Sequence, residues 1–67
     1  MSYEYEVLVL SGEVPGTPLP VSDAEFLFKH LEKDSNLIFS EKNYVVYGKH
    51  VMIVEGTYKC SLGVGEI

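Results

Sequence analysis

The stretch NLIFSEKNYVVYGKHVMIVEGTYKCSL, residues 36 to 62, decides how this chain folds. Its apolar residues recur with a period of two and its breaks fall at short polar or glycine-bearing steps. That pattern predicts four strands, at 37–40, 43–47, 50–55 and 57–62. Gly48-Lys49 suits a two-residue type II′ hairpin, with glycine supplying the positive φ at the first central position. Glu41-Lys42 and Glu55-Gly56 are the turns expected on either side of it.

Pairing across these turns makes a test of consistency. Val46 opposes Val51 and Tyr44 opposes Ile53. Outward from there, Phe39 opposes Tyr44, Leu37 opposes Val46, Ile53 opposes Tyr58 and Val51 opposes Cys60. One sheet face then collects Leu37, Phe39, Tyr44, Val46, Val51, Ile53, Tyr58 and Cys60, a seat for a helix. The opposite face collects Ile38, Val45, Tyr47, His50, Met52, Val54, Thr57 and Lys59, most of them apolar where a solvated face would be polar. Ile38, Val45, Tyr47, Met52 and Val54 are therefore expected to meet a second copy or another protein. The competing expectation is that this register slips by one residue, or that the N-terminal strand and Pro-rich loop fold across this face.

Upstream, YEYEVLVL at 3–10 alternates and reads as a strand, and SGEVPGTPLP at 11–20 reads as a semi-rigid loop stiffened by its prolines. Ser22 and Glu25 have capping-box spacing, and Val21 and Phe26 the spacing of a hydrophobic staple. A helix is expected over 23–33, with Ala24, Leu27, Phe28 and Leu31 as its apolar stripe and Glu25–Lys29 as an i,i+4 ion pair. The fold expected is α+β, β-α-β-β-β-β, with one helix on one face of a mostly antiparallel sheet of four to five strands. All of 1–67 forms one domain. Placing the first strand beside the last keeps the meander intact, and counting chain reversals makes those two strands antiparallel.

Composition narrows the function. Among 67 residues there are ten acids, five lysines and no arginine, a formal net charge of -5. Glu4, Glu6, Glu13, Asp23 and Glu25 lie in the first 25 residues without a single base, so the whole net charge belongs there. Direct nucleic-acid binding, which needs Lys and Arg against phosphates, is not expected. Cys60 is the one cysteine, and with His30 and His50 it shows no metal-ligand spacing. No cofactor, metal or catalytic constellation is expected; Cys60 falls in the core, and nothing apolar surrounds Glu4 and Glu6 to perturb them. The start of the chain lacks a secretory signal and no apolar run approaches a membrane span. A free thiol suits the cytoplasm.

These readings converge on a non-enzymatic acidic protein-binding module. Glu4, Glu6, Glu13, Asp23 and Glu25 would steer it to a basic surface of another protein. An inhibitor of a nucleic-acid-handling enzyme, such as a phage-encoded anti-defence protein, has this composition. The alternative is a structural C2 homodimer closed through the apolar sheet face.

Overall fold

The computed structural model describes residues 2–12 and 15–67. Its elements run β1 (Ser2–Val9), β2 (Thr17–Pro18), α1 (Ala24–His30), β3 (Asn36–Phe39), β4 (Lys42–Val54) and β5 (Thr57–Glu66). The strands form a single sheet in the order β2-β1-β5-β4-β3. The α+β class with one helix stands, and the sheet is mixed: β1 and β5 are parallel and the other pairs antiparallel.

The main departure from the sequence reading lies at Gly48-Lys49. No hairpin forms there; β4 runs unbroken through both residues, and the register against β5 shifts between Val46 and Gly48. Glycine serves here as part of a bulge, which bends a strand without reversing it. The expected pairs Val46–Val51 and Tyr44–Ile53 therefore do not exist. Val46 faces Val64 and Tyr44 faces Glu66 instead.

Losing one reversal changes everything downstream by one sign. The first strand does lie beside the last, but parallel to it, with Tyr3 opposite Tyr58 and Val7 opposite Leu62. The strand order also gains β2, a two-residue strand that the proline-bearing loop lays along the outer edge of β1. The turn expected at Glu41-Lys42 sits one residue earlier. Ser40 and Glu41 carry the positive φ values, 52° and 66°. That offset places Leu37 opposite Tyr44 and Phe39 opposite Lys42. The Glu55-Gly56 turn falls where expected, with φ of 46° and 81°, and Ile53–Tyr58 and Val51–Cys60 pair as read from the sequence.

The helix is shorter than expected. Asp23 occupies the N-cap without a side-chain cap bond, so the Ser22–Glu25 box does not form, and Leu31 turns extended to end the helix. Phe26 stacks on His30, ring centroids 4.4 Å apart, and stays exposed instead of stapling to Val21. The stripe is as read: Ala24, Leu27, Phe28 and Leu31 pack on a core of Val7, Tyr44, Val46, Leu62 and Val64. Phe28 meets Tyr5 edge-on at 5.7 Å, which fixes the helix over β1 and β5.

Candidate protein-binding surface

The second sheet face is partly closed by the chain itself. β5 carries Gly63 and Gly65 at alternate positions, both buried, on the face away from the helix. A Cβ at Gly65 would overlap the Tyr47 phenol, and one at Gly63 would lie 2.7 Å from Leu10 Cδ1. The bulge in β4 aims Tyr47 across Gly65, and the end of the N-terminal segment brings Leu10 over Gly63. Part of the face expected to meet a partner is thus met internally, by Tyr47 of β4 and by Leu10, while β1 and β2 lie within the sheet rather than across its face. Glycines two apart, on either side of Val64, were the sequence signal for this close approach.

Consequently Ile38, Val45, Tyr47, Met52 and Val54 do not form one patch. Val45 is half-buried opposite Gly65, and Tyr47 lies over that same glycine. Ile38 is exposed near the far end of β4, opposite Asn43. Met52 and Val54 lie nine or more residues along, roughly 30 Å away in extended chain.

The exposed apolar surface is concentrated instead in the arm formed by the distal part of β4 and the start of β5. Val51, Met52, Ile53 and Val54 are 59%, 61%, 65% and 40% exposed. Val51 and Ile53, expected beneath the helix, point to the helix face but lie beyond the reach of a seven-residue helix, which spans only about 10 Å. Tyr58 and Tyr3 continue this face inward, their rings 5.0 Å apart, with Tyr3 also exposed. The helix-side face of the arm is therefore apolar, and its other face carries Met52 and Val54 opposite Lys59 and Thr57.

The acidic residues are not brought to one place. Glu4 and Glu6 project from β1 on the face away from the helix; Asp23 and Glu25 lie on α1, on the other side of the sheet. Glu4 is in register with Lys59, Glu6 accepts a 2.6 Å hydrogen bond from Ser61 Oγ, and Glu25 accepts one of 2.8 Å from Lys29 Nζ. The Lys29 ammonium is consequently held charged to higher pH than usual, first by that hydrogen bond and then by the Glu25 charge. Glu13 falls outside the described residues.

One row of side chains has the composition of a hydrolase relay. Glu6, Ser61 and His50 sit in register on three adjacent strands. A relay needs the imidazole between hydroxyl and carboxylate; here the hydroxyl is central and donates straight to Glu6. Among the described residues no group of three or more His, Cys, Asp or Glu could hold a metal ion. Cys60 is buried. No helix among them is long and apolar enough to cross a membrane.

No family model matches the chain, and comparisons with curated proteins and with solved structures found no match.

Proposed function

We propose that the chain is a non-enzymatic protein-binding module whose contact surface is the β4–β5 arm. The observation that carries this reading is the run Val51-Met52-Ile53-Val54, exposed on both faces of one hairpin. Four such side chains amount to a few hundred Å² of apolar surface, the range at which association becomes the usual reason for exposure. The net charge of -5 supplies long-range attraction to a basic partner,. The narrower reading, an inhibitor of a nucleic-acid-handling enzyme that presents its acids where phosphates bind, has weaker support. Its four described carboxylates lie on opposite sides of the sheet.

Affinity capture from cell extract, comparing wild type with a Val51→Lys/Ile53→Lys arm variant and a Glu4→Gln/Glu6→Gln variant, separates the two. Loss of the captured protein with the arm variant alone, at low and high salt alike, supports the arm. Loss with the carboxylate variant, together with steep weakening by salt, transfers the function to the acidic surface.

A further inference from the structure

The arm presents an open strand edge as well as exposed apolar side chains on both faces. With Glu55-Gly56 as a two-residue turn, Val54 and Thr57 close the hairpin as a hydrogen-bonded pair,. Pairs then alternate, so Met52 and His50 direct their N–H and C=O groups at β5, while Val51 and Ile53 direct theirs outward. On that outer side β3 reaches no further than Val45. Asp34 and Ser35 bond the backbone of Val46. Beyond them the edge is unpaired among the described residues. Soluble proteins guard such edges with proline, charge or a bulge. Here the bulge and Lys49 stand at one end, and Val51 to Val54 carry none of these devices. On the opposite edge of the sheet β2 and Pro18 cover only Leu8 and Val9 of β1, and the stretch of β1 beyond them carries the charges of Glu4 and Glu6, one of the guarding devices that the arm lacks.

Building on the arm as the contact site, we infer that a second copy of this chain pairs antiparallel with this edge, about a twofold axis at Met52. Only outward-pointing residues can exchange backbone hydrogen bonds, which leaves three compact registers. An axis at Val51 would set the second copy's turn against Tyr47, beside the Ser35 backbone, and place Ile53 opposite Lys49. An axis at Ile53 would set Val51 opposite Glu55. An axis at Met52 sets Val51 opposite Ile53, Met52 opposite Met52 and His50 opposite Val54. It also brings Glu55 of each copy alongside Lys49 of the other, whose ammonium faces the largely exposed Glu32 of its own chain at 3.6 Å, so that opposite charges meet at both ends of the pairing. The unpaired edge is just long enough for this register, running from the turn to the point where residues 34 and 35 take over. About four backbone hydrogen bonds would join the two sheets.

Light scattering over a dilution series should show the 7.5 kDa chain passing to twice that mass, with little dependence on salt. Ile53→Pro removes an outward N–H that β5 does not use, and should leave a folded monomer by circular dichroism. A second measurement stands if that variant misfolds. In a Cys60→Ala background, Met52→Cys faces its own symmetry mate in a non-hydrogen-bonded pair, about 4.5 Å between Cα atoms, within disulfide range. It should oxidise to a linked dimer at least tenfold faster than His50→Cys or Val54→Cys. A mass of one chain at every concentration, or linkage at 50 or 54 as fast as at 52, overturns the proposal. So does binding seen only when an extended foreign peptide is added. A monomeric wild type whose captured partner is still lost with Val51→Lys/Ile53→Lys would overturn the second copy while leaving the arm as the binding site. Capture unaffected by those substitutions would remove the arm itself.

Discussion

The two halves of β4 have nearly the same chemistry and opposite surroundings. Tyr44 and Val46 are buried, Val46 completely, whereas Val51 and Ile53, on the same sheet face, stand mostly in solvent. Near its start the strand lies between β3 and β5 and borders the core beneath α1; past the bulge it keeps β5 alone. The 13-residue strand runs much of the molecule's 35 Å length, and neither a seven-residue helix nor a four-residue β3 can accompany it that far. Burial of an apolar residue is thus set by which neighbours reach it, and its own hydropathy says only that exposure must have some other use.

Core truncation against arm truncation is the strongest way to break the comparison. Leu62→Ala, in the fully buried cluster, should cost about 2–5 kcal/mol in denaturant unfolding. Ile53→Ala should change stability by less than about 0.5 kcal/mol at dilutions where the chain is monomeric. Equal losses at the two sites would mean that the arm is packed after all. Next in size is Gly65→Ala, which forces the Tyr47 phenol aside and should cost about 1–3 kcal/mol. In a Tyr47→Ala background the same change should be nearly neutral, and a fully additive double variant would refute the ring-over-glycine contact.

Two other glycines of the β4–β5 hairpin, Gly48 and Gly56, sharpen the picture further. Gly56→Ala, at a φ of 81°, should lower stability by about 1 kcal/mol. Gly48→Ala meets nothing within 4 Å and has no positive φ, so it should be neutral or stabilise by a few tenths of a kcal/mol. A penalty at Gly48 as large as at Gly56 would restore the turn that the sequence suggested. The smallest effect concerns the helix. Because Lys29 has a raised pKa through Glu25, the pair's contribution is complete at neutral pH and fades as pH climbs through that raised value. Both groups are exposed. Glu25→Gln should therefore lower the melting temperature only slightly at neutral pH, and that small difference from wild type should vanish as pH rises through the Lys29 titration.

The sequence made the Glu55-Gly56 turn legible because the hydrophobic alternation on its two sides closes in register, down to Val51 opposite Cys60. It misled at Gly48, where a glycine needed for a bulge resembles one needed for a turn, and no local residue distinguishes them. The consequence was not local. One spurious reversal inverted the direction of β1 relative to β5 and hid the strand character of Gly63 to Glu66. The helix stripe was read correctly from its spacing, but its reach was not. Extending it to Lys33 and pairing Val51 with Val46 seated Val51 and Ile53 beneath it. Of the apolar residues expected at the interface, Ile38, Tyr47, Met52 and Val54 lie on exposed surface, though not in one patch, and Val45 is half-buried opposite Gly65.

The parallel β1–β5 ladder has a kinetic consequence. Tyr3 and Tyr58 are neighbours although 55 positions apart in the chain, and β5 is the middle strand to which both β1 and β4 must attach. Apart from Leu8 and Val9, which pair with β2, β1 has no strand partner until β5 has been laid down by the local β4–β5 hairpin. The closure of so long a loop sets the pace of folding more than the chain's small size does. Substitutions that weaken the Glu55-Gly56 turn should accordingly slow refolding, whereas those in β1 should chiefly speed unfolding.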